Sequence, residues 1–343
     1  MVCYNLGEMV REREGRLALI KDAPPGNFQF GITTIDLPSA FGDKTTGKTA
    51  DIWTVEDKLV IVKTDRNSAH DILICSVPGS GASVNALSNW WKTRTKNIIE
   101  NDYLGSPDPA VTIARKAKVR FDVEFVFRSY LERSSTRTSA YHKYRIERRR
   151  NIYGIDFPDD LMDNQELPMG TIFTPTTKSD KDEEITEEQA REIVNQQAGK
   201  DVFDILKERL IRLNQTGKEV SRSRGIILAS TKFEAGLDGE GNLMVIDEVL
   251  TPHSSRFWDA GTYERRFLRG EDPDSYDKEI LRRKLKDLGF TGQGAVPKLS
   301  LADIRIVSRV YKKAYEMITK RDLSHPAMEK EIVQSIVGYF NPA

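Results

Sequence analysis

The sequence has little cysteine, no excess of charge of either sign and no long hydrophobic run. Only two of its 343 residues are cysteine, which excludes a disulfide scaffold or a cysteine-rich zinc site and is typical of a reducing compartment. Lysine plus arginine and aspartate plus glutamate each number 52, so no net charge draws the whole chain to nucleic acid or an anionic membrane. The apolar runs fall far short of the roughly 20 residues that span a bilayer, and the N-terminal residues lack the apolar stretch of a signal peptide.

What is present favours a folded protein. Hydrophobic residues make up 38% and charged residues 30% of the chain, which is enough apolar material for a core. The length allows two domains. We therefore expect a cytoplasmic protein, most simply an enzyme, with no nucleic-acid and no membrane partner. The arginine-rich run at residues 145–150 could bind nucleic acid, but such charge runs more often form a solvated face.

Hydrophobic periodicity predicts strands early in the chain and helices towards its end. The predicted strands cover residues 52–64, 118–130, 226–233 and 243–249, and a loop is expected at 152–169. The predicted helices cover residues 88–101, 186–213, 275–288, 300–319 and 328–339. Capping residues support two of them, Thr186 with Gln189 and Ser300 with Asp303. This order of elements predicts an α+β fold in two lobes.

Residues 42–49 (GDKTTGKT) match the G-x-x-x-x-G-K-[ST] pattern of a phosphate-binding loop letter for letter. A true loop of this kind follows a buried strand and opens a helix, whose N-terminus holds the phosphates. Here the next residues alternate like strands, so this interpretation is disfavoured. Two alternatives stay open. The segment is either a flexible glycine turn between strands or a hairpin loop in which Lys48 acts as a point charge on ATP phosphates.

The hairpin expected around residues 238–242 carries a lysine and two acids. Lys232 and Glu234 share one face because the period of a strand is two, and Asp247 on the return strand can lie beside them. Carboxylate oxygens suit Mg²⁺ and an ammonium group suits a phosphate oxygen. An exposed hairpin with cross-strand ion pairs, worth under about 1 kcal/mol, explains the same residues equally well.

Five segments of the chain occur in the order typical of one family. They are GKTADIW (residues 47–53), TDRNSAHD (64–71), FTPTTK (173–178), TKFEAG (231–236) and DEVLTPHSSRFW (247–258). Together they resemble SAICAR synthetase, the phosphoribosylaminoimidazole-succinocarboxamide synthase of purine biosynthesis. The resemblance runs from about residue 40 to about residue 320.

The resemblance implies a two-lobed α+β fold, with an antiparallel N-terminal sheet lobe, an ATP-grasp-like second lobe and C-terminal helices. The expected divisions are an N-terminal extension (1–35), a β-rich nucleotide-binding lobe (36–120), an α+β lobe for substrate, ATP and magnesium (121–290) and a helical segment (291–343). The resemblance leaves the oligomeric state open.

The activity implied is ATP-dependent amide formation. A carboxylate, carboxyaminoimidazole ribonucleotide in the family, becomes an acyl phosphate that the amine of aspartate attacks. ATP and Mg²⁺ are the implied cofactors, and the partners are a small carboxylate and an amino acid. The implied catalytic residues are Lys48, Lys232, Glu234 and Asp247; these with Gly47 bind ATP, and Glu234 and Asp247 hold the metal. The implied substrate-binding residues are Asp65, Ser68, Arg128, Ser134, Lys178, Asp182, His253, Ser254 and Arg256, with Lys178 and Asp182 in a loop that closes over the substrates.

The chain departs from the family pattern at several positions. Ala50 stands where the family usually has Arg, Ser230 and His253 where it has Asp, and Lys181 begins a run that is usually His-Asp-Glu-Asn. Most of the expected metal and triphosphate residues are kept, whereas several residues expected on the acceptor side are changed. Two alternatives therefore remain open: a paralogous ligase of specialised metabolism that joins a different carboxylate and amine, and a nucleotide-binding scaffold without activity.

Overall fold

The computed structural model describes residues 25–134, 136, 138–179, 182–323 and 327–341. Most of the predicted N-terminal extension, and Lys181, lie outside these residues. The strands are β1 (Lys44–Thr46), β2 (Ala50–Val55), β3 (Lys58–Lys63), β4 (Arg66–Ala69), β5 (Ile72–Ser76), β6 (Glu100–Asn101), β7 (Tyr103–Gly105), β8 (Val111–Arg115), β9 (Val119–Arg120), β10 (Val123–Arg128), β11 (Asn151–Ile152), β12 (Ile155–Asp156), β13 (Ile172–Phe173), β14 (Thr176–Thr177), β15 (Ile226–Leu237), β16 (Leu243–Ile246) and β17 (Ser255–Asp259).

The helices are α1 (Ser80–Thr95), α2 (Ala140–Arg145), α3 (Glu187–Ala198), α4 (Phe203–Ser223), α5 (Tyr263–Leu268), α6 (Glu279–Asp287), α7 (Leu301–Thr319) and α8 (Glu329–Phe340). Single 3₁₀ turns occur at Pro25–Phe28 and Ser39–Phe41. The mixture of helices with antiparallel sheets confirms the predicted α+β class.

The chain divides into two compact units. The first consists of the residues up to Asn89, Tyr103–Arg115 and the residues from Lys278 onward, and the second of Trp90–Asp102 and Lys116–Asp277. The C-terminal helices therefore belong to the same unit as the N-terminal strands. The finer four-part division stays a prediction.

The first unit is built on a five-stranded antiparallel sheet in the order β1-β2-β3-β8-β7, beside a β4–β5 hairpin. An apolar cluster in this unit joins that hairpin to the C-terminal helices. The buried members include Ile74 and Val77 near the hairpin, Leu285 on α6 and Tyr311 on α7. This is why helices distant in sequence are needed to bury the hairpin's apolar side chains.

The second unit is built around the long strand β15. Strand β10 pairs antiparallel with it on one edge, and β17 and β16 pair antiparallel with successive parts of the other edge. Alternate residues of β15 and β10 point to opposite faces. Phe125, Phe127 and Phe233 are buried on one face, where the first two contact Phe173. This aromatic layer leaves the opposite face for polar residues.

The predicted helices and strands are present with changed bounds: the segments at 52–64 and 118–130 each form two strands, and the loop expected at 152–169 contains part of the short β11–β12 pair. The helix expected at 88–101 spans Ser80–Thr95, because the buried Asp65 carboxylate accepts the N–H of Gly81 and fixes an earlier start. The helix expected at 186–213 is two helices, since Gly199 is left-handed (φ 65°) and ends the first of them. Both capping boxes are confirmed, at Thr186 with Gln189 and at Ser300 with Asp303.

Candidate active site

Three charged residues lie along the polar face of the second unit's sheet. Lys232 and Glu234 share this face of β15, as the period of two predicts, and their Nζ and Oε1 atoms are 3.2 Å apart. The Lys232 ammonium also pairs with Glu124 of β10, and Lys178 of the FTPTTK segment pairs with the second carboxylate oxygen of Glu234. Glu234 is buried, and each of its two carboxylate oxygens pairs with one lysine ammonium group.

The electrostatics of this cluster favour a fully charged lysine. Burial lowers the pKa of Lys232, but the negative charges of Glu234, Glu124 and Asp247 outweigh it and raise that pKa above its ordinary value. Lys232 is therefore a permanent cation at the pH of the cell. It suits charge neutralisation and not proton transfer.

Asp247 follows the return strand β16 in a left-handed conformation, with φ 57°. Its backbone N–H donates to the Asp102 carboxylate at 3.2 Å, and its side chain is exposed. Within the described residues no group of three or more His, Cys, Asp or Glu side chains is arranged to hold a metal. Mg²⁺ in nucleotide sites needs just one or two carboxylates, because phosphates and waters complete its shell. The oxygen donors of Glu234 and Asp247 fit that requirement.

Two arginines occupy one row across three strands of the same sheet. Arg128 of β10 and Arg256 of β17 are both register partners of Ser230 on β15, so all three face the same way. The Arg128 guanidinium donates to Thr174 Oγ1 at 3.0 Å and pairs with Glu132, which also accepts from the Ser230 hydroxyl. The row therefore carries two cations, with Glu132 paired to Arg128.

The turn before β17 contains the predicted His253 and Ser254. The Ser254 carbonyl accepts the N–H of Lys232 at 2.9 Å, so the turn is tied to the charged strand. His253 Nδ1 lies 3.7 Å from an oxygen of Glu248, which in turn accepts from the Thr251 hydroxyl at 2.6 Å. These bonds fix a compact turn beside the sheet.

The G-x-x-x-x-G-K-[ST] match in the first unit is not a phosphate-binding loop of the strand-to-helix type. Strands β1 and β2 pair antiparallel around it, so residues 47–49 form the turn of a β-ribbon. The segment is therefore a turn between two strands with no helix directly after it, as both open alternatives require. The turn is closed by the Gly47 N–H, which donates to Ala50 O at 2.8 Å.

Lys48 extends from this turn and pairs with Asp71, with 2.7 Å between Nζ and Oδ1. The Lys48 side chain is 49% exposed. Burial raises the pKa of Asp71, but the hydrogen bond and charge of Lys48, with Lys278 and Arg282, lower it below its ordinary value. Two of the family-like segments thus meet at their charged residues.

A buried ion pair underlies the same loop. Arg66 and Asp51 are almost fully buried, with 2.9 Å between Nη2 and Oδ1. The Arg66 guanidinium also donates to the carbonyls of Gly47 at 2.9 Å and of Lys48 at 3.4 Å. Arg66 therefore fixes the backbone that carries Lys48.

The remaining predicted residues are not drawn into either cluster by the contacts that the structure gives. The Asp65 carboxylate accepts the N–H groups of Ile32 and Gly81, and burial raises its pKa although these bonds lower it. Ser68 lies within β4, Ser134 Oγ accepts the N–H of Thr136, and Asp182 is left-handed (φ 46°) in a turn. Their substrate-binding roles stay predictions.

Sequence reasoning missed four residues that this geometry makes prominent. They are Glu124, Glu132, Arg66 and Asp102. Glu124 could have been predicted from the sequence, since it lies an even number of residues before Arg128 in a strand and therefore shares its face. Arg66 belongs to the TDRNSAHD segment but shows no role until the fold brings Asp51 beside it. The other two reach their partners from a loop and from a strand end, where periodicity gives no information.

The arginine-rich run is occupied by ion pairs within the chain. Arg145 pairs with Asp163, Arg149 with Glu184 and Arg150 with Asp159. This agrees with the interpretation as a solvated face. Across the part of the chain that the structure describes, no helix combines the length and apolar character needed to cross a membrane.

The family model described as SAICAR synthetase matches residues 43–299. A phosphoribosylaminoimidazole-succinocarboxamide synthase of Legionella pneumophila is 39% identical over 293 residues, which cover 84% of this chain and 91% of that protein. The chloroplastic enzyme of the same name from Vigna aconitifolia is 41% identical over 240 residues, covering 70% of this chain and 69% of that protein.

Solved structures give the same result. The Saccharomyces cerevisiae SAICAR synthase complexed with SAICAR matches with a TM-score of 0.72 and 31% identity, over 86% of this chain and all of that one. A SAICAR synthetase in complex with ADP, at 22% identity and a TM-score of 0.60, shares the fold. These comparisons give no support to a ligase of another pathway or to an inactive scaffold. The chain belongs to the SAICAR synthetase family and is an ATP-dependent, amide-forming ligase.

Proposed function

We propose that the chain joins the carboxylate of carboxyaminoimidazole ribonucleotide to the amine of aspartate, using ATP, as a step of purine biosynthesis. The observation that carries this is the cluster on the polar face of β15, where Lys232 and Lys178 flank the buried Glu234. Such a cluster suits phosphoryl transfer, which needs charge neutralisation and placement and no protein nucleophile. The relatives named for succinocarboxamide synthesis, one of them solved with SAICAR, support this choice of substrates.

The proposed reaction takes place in two steps. The γ-phosphoryl group of ATP moves to a carboxylate oxygen, the bond to the β-phosphate oxygen breaks and ADP leaves. The aspartate amine then attacks the acyl carbon, the bond to the phosphate oxygen breaks, and inorganic phosphate and one proton are released. Both steps create charge on oxygen that fixed cations stabilise.

Glu234 and Asp247 would hold Mg²⁺. When bound, the ion supplies charge neutralisation at the phosphate oxygens. Lys178 and Lys232 pair with the two oxygens of Glu234 and would lie beside the phosphates that such an ion holds. We also propose that Lys48 contacts a phosphate, because its loop presents a lysine ammonium group on an exposed glycine turn.

Arg128 and Arg256 would bind the 5′-phosphate of the ribonucleotide. They lie in one row on either side of Ser230, and a planar guanidinium suits bidentate contact with a phosphate. Glu132 holds Arg128 in place, and Arg256 lies 3.9 Å from the buried Asp277. Each arginine is therefore partly preorganised before the ligand arrives.

The test is release of ADP by the purified chain. With MgATP, aspartate and carboxyaminoimidazole ribonucleotide all present, ADP and the succinocarboxamide product should form in equal amounts. Omission of aspartate or of the ribonucleotide should stop the formation of product. ADP release with other amine and carboxylate pairs, and none with this one, would overturn the proposal.

A further inference from the structure

A buried ion pair lies at the end of the hairpin that carries Asp247. Lys92 Nζ and Asp102 Oδ1 are 2.6 Å apart, and their side chains are only 3% and 4% exposed. Removing two charges from water is costly, and an apolar pair of similar volume is often as stable. The pair is therefore poorly explained by stability alone, and its other contacts indicate what it does.

Asp102 connects this pair to the backbone of the candidate metal ligand. Its Oδ2 atom accepts the N–H of Asp247 at 3.2 Å, and its own N–H donates to Val245 O at 3.1 Å. The preceding residue, Asn101, is a register partner of Val245 in the parallel pairing of β6 with β16. Asp102 is thus fastened to the return strand just before Asp247.

The backbone at Asp247 needs such support. Its φ of 57° and that of Leu250, at 52°, are left-handed values that residues other than glycine adopt at a cost. Strained conformations of this kind persist where surrounding contacts over-determine them, and they concentrate at functional sites. The bond to Asp102 is the contact that the structure gives to the Asp247 N–H.

We propose that Asp102, fixed and neutralised by Lys92, is a positioning residue that holds Asp247 in the orientation in which it binds the nucleotide's metal ion. This rests on the proposed function of Asp247. Lys92 is needed because Asp102 brings a second negative charge beneath a residue that is itself an acid. Lys92 Nζ occupies one carboxylate oxygen of Asp102, and the other oxygen accepts the N–H of Asp247.

The test compares two double variants that both remove the buried charges. Lys92→Met with Asp102→Asn keeps an oxygen that can accept the Asp247 N–H, whereas Lys92→Met with Asp102→Ala does not. Neither leaves an unpaired buried charge, which is the usual cause of unfolding when one partner is removed. The readout is Mn²⁺ binding in the presence of a nonhydrolysable ATP analogue, measured by electron paramagnetic resonance, with a thermal melt for each variant.

We expect the alanine double variant to bind Mn²⁺ about tenfold more weakly or worse, the usual effect of losing a residue that orients a metal ligand. The asparagine double variant should stay within about threefold of the wild type. Asp163→Asn breaks pairs with Arg133 and Arg145 elsewhere in the second unit, so it should lower the melting temperature and leave Mn²⁺ binding unchanged.

Equal Mn²⁺ affinity in the two double variants would overturn the positioning role. The Asp247→Ala variant separates this from a failure of the proposed function. If Asp247→Ala loses Mn²⁺ while the double variants match, only the positioning role fails. If Asp247→Ala binds Mn²⁺ normally, the metal assignment fails and the positioning role fails with it.

Discussion

The charged face of β15 and the glycine loop each present a lysine, but they hold it in different ways. Lys232 is held by side chains, since Glu124 and Glu234 pair with its ammonium and the sheet register fixes all three. Lys48 pairs with an exposed acid at a turn, and its position depends on the loop backbone, to which the Arg66 guanidinium donates hydrogen bonds. The sheet therefore holds its lysine in a fixed cluster of side chains. In the loop, the backbone is fixed but the exposed Lys48 side chain can change its orientation.

Breaking the fixed cluster should have the largest effect. In Glu234→Gln, the two ammonium groups of Lys178 and Lys232 lose their carboxylate and the proposed metal loses a ligand. We expect kcat to fall by about 10²-fold or more, with the fold retained by circular dichroism. Glu240→Gln changes an exposed acid on the turn of the same hairpin and should leave kcat unchanged. Equal rates in the two variants would remove Glu234 from the site.

Breaking the base of the loop should affect stability most. Arg66→Met leaves the buried Asp51 carboxylate without its guanidinium, so the free energy of unfolding should fall by about 3–5 kcal/mol. Lys48→Met removes an exposed pair and should cost under about 1 kcal/mol, while it raises the KM for ATP. Urea denaturation and initial rates measure the two quantities. Similar stability losses in both variants would contradict the distinction between Arg66, which supports the loop backbone, and Lys48, which supplies the exposed charge.

The ion pairs of Glu184, close to the sheet of the second unit, should make the stability of the protein depend on pH. Arg149 and Lys143 pair with Glu184, and although burial raises its pKa, these bonds lower the pKa to about 2. Because the folded pKa is depressed, the stabilisation is present above the unfolded pKa of about 4.3 and is lost as the pH falls towards 2. Glu184→Gln should cost about 1–2 kcal/mol at pH 7, after allowance for solvent screening, and much less near pH 2. A constant difference measured by denaturation across that range would contradict the assignment.

The smallest effect is expected at Ser230. Its buried hydroxyl donates to Glu132, which also pairs with Arg128. Ser230→Ala should lower the free energy of unfolding by about 1 kcal/mol and weaken binding of the ribonucleotide through Arg128. Thr136→Ala, outside this row, serves as the control. A ribonucleotide KM that is unchanged in Ser230→Ala would show that the hydroxyl does not orient the arginine.

Much of the fold was predictable because local signals carry it. The alternating segments became β3, β10 and β15, and the capping residues marked the starts of α3 and α7. The start of α1 was not predictable, because Asp65 fixes it through a contact across 16 residues. Gly199 could have been recognised as a helix end from its residue type alone.

The candidate site was predictable where function depends on a strand's period or on a recognisable segment. Lys232 and Glu234 were found from their spacing, and Arg128 and Arg256 from the family resemblance. Glu132 and Asp102 were not, since their contacts with Ser230 and Asp247 span 98 and 145 residues of sequence. Such supporting acids depend on long-range pairing, which a single sequence does not reveal.

The most direct measurement is the position of the metal ion. Crystals soaked with Mn²⁺ and a nonhydrolysable ATP analogue would locate it by anomalous scattering. We predict a peak about 2.0–2.3 Å from carboxylate oxygens of both Glu234 and Asp247, with Lys178 and Lys232 turned to the phosphates. A peak elsewhere, with Glu234 still paired to the two lysines, would contradict it.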